Sequence, residues 1–128
     1  MKKLILILSI LFLASCTQEV EPTIENMNSI FESKDFTIEY HLTDARIESM
    51  SFIEDILVYK ANDSVVRKTI SFNDALLINQ LIQDKFKQHD SNNKETPSII
   101  VLNTAKKVTL KIPNYEVDYL NLINKLDL

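Results

Sequence analysis

Hydrophobic residues along this chain change their spacing several times, and each spacing predicts a different element. Leu4 to Leu13 is an apolar run of ten residues broken only by Ser9. The stretch after Cys16 is polar and acidic as far as residue 30. From Phe36 to Thr43 the chain alternates, with Ile38, Tyr40 and Leu42 on one side and Thr37, Glu39 and His41 on the other. A period of two marks a strand with one buried face. Asp44-Ala45 reads as a turn, and a β-rich run follows, clearest from Ser51 to Lys60. Asn62-Asp63 separates Ile56–Ala61 from Val65–Phe72, the pattern of a hairpin.

The spacing then lengthens. Leu77, Ile78, Leu81, Ile82 and Phe86 form a stripe with the period of a helix, and Asn73 stands where a helix cap belongs. Gln88 to Pro97 is a polar loop. A second hairpin is expected from Ser98–Leu102 and Lys107–Ile112 around Asn103 to Lys106. Pro113 ends it, Asn114 is the expected cap of a last helix, and Tyr119, Leu122, Ile123 and Leu126 share one helical face. Ile56-Leu57-Val58-Tyr59 matches Ile99-Ile100-Val101-Leu102, and each Asn is followed at eight and nine residues by a Leu-Ile pair (Leu81-Ile82, Leu122-Ile123). These correspondences predict a ββα unit used twice. The expected fold is α+β: a two-layer sandwich, with an antiparallel sheet of about five strands and two helices on one face.

The opening run belongs to something else. Lys2 and Lys3 precede it, and at ten residues it is too short for a spanning helix, which needs roughly 20 at about 1.5 Å per residue. A basic start, a short apolar core and small residues are the parts of a secretory signal. Leu13-Ala14-Ser15-Cys16 resembles the lipobox of bacterial lipoproteins. That resemblance covers residues 1–16. It implies recognition of Leu13, Ala14 and Ser15 by the lipoprotein signal peptidase, alkylation of the Cys16 thiol by a diacylglyceryl group, cleavage before Cys16, and often acylation of the new amino terminus. Thr17 stands where an aspartate favours inner-membrane retention in some bacteria. The resemblance therefore implies a cell-envelope protein released toward the outer membrane in a diderm bacterium. The expected organisation is a signal over 1–15, a lipidated N-terminus and flexible tether over 16–30, and a single domain over 31–128.

Cys16 is the one cysteine in 128 residues. An exported chain with an odd thiol needs a use for it, and lipidation supplies one. No intrachain disulfide is then possible. Cleavage removes Lys2 and Lys3 and no acid, so the formal net charge of −4 becomes −6. An acidic domain is poorly suited to nucleic acid, whose binding rests on Lys and Arg. The sequence contains no glycine. The glycine-rich loops that cradle phosphates are excluded with it, and turns fall to Asn, Asp and Pro.

Little else points to chemistry. His41 lies on the polar side of the first strand, and His89 follows the first long helix, where an imidazolium would suit the helix dipole. No Cys, His or carboxylate spacing suits zinc, and no calcium loop is present. Glu54 and Asp55 are adjacent, so within a strand they would point to opposite faces. The simpler account is a bulge, or a strand that begins near Ile56. The chain is accordingly expected to be a non-enzymatic envelope module, without a cofactor or metal, that binds an envelope or secreted protein in the manner of an inhibitor or immunity protein. The expected contact face carries Thr37, Glu39, His41, Arg67 and Thr69. A carrier holding a small molecule or lipid between sheet and helices is the alternative. A hydrolase assembled from dispersed serines and carboxylates stands third.

Overall fold

The computed structural model describes residues 17–33, 35–92 and 97–128. The signal, Leu13, Ala14, Ser15 and Cys16 lie outside them. The elements are β1 (Gln18–Glu19), α1 (Ile24–Phe31), β2 (Asp35–His41), β3 (Ile47–Ile53), β4 (Ile56–Ala61), β5 (Ser64–Thr69), α2 (Phe72–Phe86), β6 (Ser98–Leu102), β7 (Lys106–Lys111) and α3 (Glu116–Lys125). The strands form one sheet in the order β1-β7-β6-β2-β3-β4-β5. Neighbours are antiparallel except β1, which runs parallel to β7. No helix among the described residues is long and apolar enough to cross a membrane.

The mixed α+β content agrees with the sequence, but the described residues form seven strands and three helices in place of five and two. One extra strand comes from the run Ser51–Lys60. It is broken by a two-residue turn, Glu54-Asp55, closed by the pair Ile53 and Ile56. Glu54 has a φ of 58°. A side chain with a Cβ reaches this left-handed region at a cost of about 1–2 kcal/mol. Both carboxylates are exposed in the turn, so neither has to point inward.

The other additions lie in residues 17–30, expected to be a flexible tether. They are folded. Gln18 and Val20 donate backbone hydrogen bonds to Ala105 and Lys107 at 3.0 and 2.9 Å, which makes β1. Thr23 caps α1, its hydroxyl accepting the Asn26 N–H at 3.1 Å. Met27 and Ile30, three residues apart on one helical face, are both 0 % exposed. Strand Gln18–Glu19 and helix Ile24–Phe31 are therefore part of the sheet and its core. Polar composition hid the helix, because only Ile24, Met27, Ile30 and Phe31 mark its apolar side.

Buried inward-facing positions alternate along five strands: Ile38 and Tyr40 in β2, Met50 and Phe52 in β3, Leu57 and Tyr59 in β4, Ile99 and Val101 in β6, Val108 and Leu110 in β7. They join Met27 and Ile30 of α1, Ile78 and Ile82 of α2, and Tyr119, Leu122 and Ile123 of α3 in one continuous cluster. Ser71, not Asn73, caps α2 by accepting the Asp74 N–H at 3.1 Å. Asn114 sits before α3 with a φ of 54°, and α3 has no side-chain cap. The four-residue match of Ile56–Tyr59 to Ile99–Leu102 joins opposite faces, since Ile56 is exposed and Ile99 buried. A shift of one residue sets Leu57 and Tyr59 against Ile99 and Val101, all inward.

His89 is held by the sheet. Its Nδ1 accepts the Lys111 N–H at 2.8 Å, and Asp90 N–H donates to the Lys111 carbonyl at 3.0 Å. The ring is thereby oriented toward β7 by the backbone of Lys111. Together with β1, the two contacts clip both ends of β7.

Ile30→Ala is expected to lower unfolding free energy by about 2–5 kcal/mol, the cost of emptying a buried site. Urea denaturation measures it. A loss within a few tenths of a kcal/mol would mean that α1 is not part of the core.

Candidate functional site

The strands that bury one set of alternate residues present the other set on the opposite face. Hydrogen-bond register places these outward residues in rows across the sheet. One row is Leu102, Thr37, Ser51, Val58 and Arg67, and the next is Ile100, Glu39, Ser49, Lys60 and Val65. A third is Asp35, Ile53, Ile56 and Thr69. Large apolar side chains are left open on this face, with Ile47, Ile53 and Val65 each more than half exposed and Ile56 nearly so. Hydroxyls and scattered charges of both signs separate them.

Thr37, Glu39, His41, Arg67 and Thr69 all belong to this face, as their strand positions predict. They do not form one cluster. Thr37, Glu39 and His41 lie on β2, while Arg67 and Thr69 lie on the edge strand β5. Two strands intervene, so the groups are roughly 14 Å apart at about 4.8 Å per strand. Thr37 of β2 and Ser51 of β3 bond through their hydroxyls at 3.0 Å, and within β2 His41 Nε2 lies 3.3 Å from Glu39 Oε1. Ser49, Val58 and Lys60 fill the gap between the two groups. They were readable in principle, because alternation in β3 and β4 fixes their side, but the unbroken run Ser51–Lys60 concealed the register.

On the inward side lies a polar group that the sequence did not single out. Glu48 pairs across the strands with Tyr40 and is 6 % exposed. Its Oε1 accepts hydrogen bonds from the Tyr59 and Tyr119 hydroxyls, each at 2.5 Å. Arg46 reaches its other oxygen at 3.4 Å and also contacts Asp44 at 2.5 Å and Glu116 at 3.4 Å. The Tyr40 and Tyr119 rings pack with centroids 4.3 Å apart. Tyr115 is buried with its hydroxyl within reach of the His41 and Ser98 carbonyls. A buried carboxylate is costly unless paired and hydrogen-bonded, and here two phenols and a guanidinium do both. Burial pushes all four phenols above their ordinary value, and bonding to Glu48 adds to the effect at Tyr59 and Tyr119.

The recesses are shallow. One of about 570 Å³ lies between α2 and α3 over Leu77, Leu81 and Leu122, beside the Lys85–Asp118 ion pair. A smaller one of about 260 Å³ reaches Phe31, Phe36 and Phe52, whose rings meet edge-on at 5.2 Å and stacked at 4.7 Å. Ligand sites usually measure about 300–1,000 Å³ and enclose most of their ligand. The larger recess is an open groove outside the core, and the smaller one falls below that range. Among the described residues no three His, Cys, Asp or Glu side chains converge as a metal cluster. Comparison with protein families, curated proteins and solved structures finds no match to this chain.

Two measurements follow from the tyrosines. A phenol whose folded-state pKa is raised contributes stability that is intact below its ordinary value of 10 and is lost as pH rises beyond it. The chain has four tyrosines and no tryptophan. Tyrosinate absorbance is therefore expected to stay low through pH 10 and to rise together with loss of circular dichroism at higher pH. A phenol ionising near pH 10 in the folded protein would contradict this. Tyr119→Phe, which takes one donor from Glu48, is expected to cost about 1–3 kcal/mol in urea unfolding.

Proposed function

We propose that this chain is a lipid-anchored lipoprotein of the bacterial cell envelope, and that its domain is a non-enzymatic module that docks another protein on the outward face of the sheet. In this reading the domain is a two-layer sandwich, with the helices on one side of the sheet and the partner on the other. The two ββα units, β4-β5-α2 and β6-β7-α3, stand on either side of β2 and β3 in the sheet order, which supports reading them as a repeat.

The observation that carries the proposal is the exposure of Ile47, Ile53, Ile56 and Val65 on one sheet face. Ile53 and Ile56, paired across β3 and β4, form the contiguous part of this surface, and exposed apolar side chains rimmed by polar residues mark interaction sites. The hydroxyls of Ser49, Ser51 and Thr69 and the charges of Glu39, Lys60 and Arg67 supply the polar contacts that set specificity at an interface. The anchor rests on Lys2 and Lys3, the apolar run and Leu13-Ala14-Ser15-Cys16. The histidines support a structural over a catalytic reading, since one bonds Glu39 and the other accepts the Lys111 N–H.

A photo-crosslinking residue placed at Lys60 is expected to give one discrete adduct in native envelopes, whereas the same group at Gln80 on α2 gives none. The adduct is expected to disappear when Ile56 and Val65 are changed to Glu. Equal labelling from both positions, or an adduct indifferent to those changes, would exclude the sheet face as the docking surface. Mass spectrometry of the native amino terminus tests the anchor separately, the expected species being a diacylglyceryl-modified Cys16.

A further inference from the structure

Because residues 17–20 are fastened to the sheet, the lipid attachment point has almost no slack. Thr17 donates its hydroxyl proton to the Thr104 carbonyl at 3.2 Å, and Gln18 N–H bonds the Ala105 carbonyl at 3.0 Å. Thr17, the residue that follows Cys16 in the sequence, is thus fastened at the turn between β6 and β7. Whatever end of the domain carries that turn must lie close to the lipid headgroups.

The register identifies the end. Leu102 pairs with Thr37 and Asp35 with Ile53, which puts the end of β6, the start of β2 and the end of β3 together. The turn Glu54-Asp55, the start of β4 and the end of β5 follow, since Ile56 pairs with Thr69. Ile70 N–H bonds the Asp55 carbonyl at 2.9 Å and brings in the first turn of α2. Thr17, Asp35, Phe36, Ile53 and Thr104 line a common recess there. This same end exposes Ile53 at 54 %, Ile56 at 45 %, Leu76 at 47 % and Phe72 at 77 %. Phe72 is the most exposed of the large apolar side chains described, and it opens α2 where a shorter polar residue would serve.

We propose that this end of the domain rests on the bilayer, with Phe72 and Leu76 of α2 immersed in the lipid interface. The inference depends on the lipid anchor at Cys16 put forward above. The diacylglyceryl group already supplies two acyl chains for stable anchoring, and apolar side chains beside it set how the domain is oriented on the bilayer. Asp35, Glu54 and Asp55 are exposed at the same end, so anionic headgroups do not attract it. The contact is apolar and suits a zwitterionic surface. The opposite end also exposes Ile47, Val65 and Val117, but the chain does not leave for the lipid there.

The strands then stand away from the membrane, and the outward face of the sheet is presented sideways over a height of roughly 20 Å, six residues at about 3.3 Å each. The domain is a fixed post on the membrane, not a body on a leash.

The test uses the mature lipidated protein in phosphatidylcholine vesicles. Cys16 is the only native cysteine and its thiol is consumed by lipid, so a new cysteine can be labelled alone. An environment-sensitive fluorophore is attached to Phe72→Cys, to Leu76→Cys and, at the far end, to Asp63→Cys. The first two are expected to shift to the blue on vesicle attachment and to lose quenching by aqueous iodide, while the third does neither. Probes at Phe72 and Leu76 that remain as quenched as the probe at Asp63, on protein that floats with the vesicles, would overturn the resting orientation and leave the anchor standing. Protein with a free Cys16 thiol that does not float would overturn the anchor, and the orientation with it.

Discussion

A sheet buries what its strands point inward, and in this chain that burial is the main means of holding the fold. The single cysteine forbids an internal disulfide, and no metal cluster occurs among the described residues. Stability therefore rests on alternate residues of the long strands meeting the buried faces of all three helices in one apolar cluster. That dependence explains why α1 is folded. A domain of this size has few side chains to spare, and Met27 and Ile30 of α1 pack over the end of the sheet made by β6 and β7. A real tether would leave that part of the core open to water.

The same economy places a carboxylate inside. Glu48 occupies an inward position that Tyr40, Met50 and Phe52 share, and it is tolerated because Tyr59, Tyr119 and Arg46 converge on it. An isolated buried charge is strongly destabilising, whereas a fully paired one is close to neutral and fixes which groups must meet. The pairing ties β3 and β4 to α3 at one defined register. Arg46 extends it to Asp44 in the β2–β3 turn and to Glu116 at the start of α3. A polar knot of this kind sets orientation where an apolar core alone would permit sliding.

Periodicity in the sequence located β2, β4, β6, β7 and both long helices to within a few residues, because each has a clean alternation or stripe bounded by Asn, Asp or Pro. It failed where the signals conflict. Glu48 on the inward side breaks the apolar alternation of β3, and Glu54 adopts a left-handed conformation that nothing in a glutamate announces, so two strands looked like one. In α1 the acidic composition and Pro22 outweighed four apolar residues at helical spacing. The candidate face was legible as a side of the sheet, since alternation alone assigns Thr37, Glu39, His41, Arg67 and Thr69 to it. Their separation by two strands was not, because strand order depends on pairings between residues distant in sequence. The tyrosine cage around Glu48 was hidden for the same reason.

The two margins of the sheet are unlike. On one side, the short β1 and the His89–Asp90 clip occupy the ends of β7. On the other, β5 pairs only with β4 along its whole length. Free backbone donors and acceptors at a margin recruit strands from other chains. Among the described residues β5 is the longer open margin, so such recruitment tends to stop: two copies joined β5 to β5 would consume these margins and leave only the partly covered edge of β7. A chain of this build has a geometric barrier to fibre growth, even though Arg67 and Lys68 are the only charges that β5 itself carries against it.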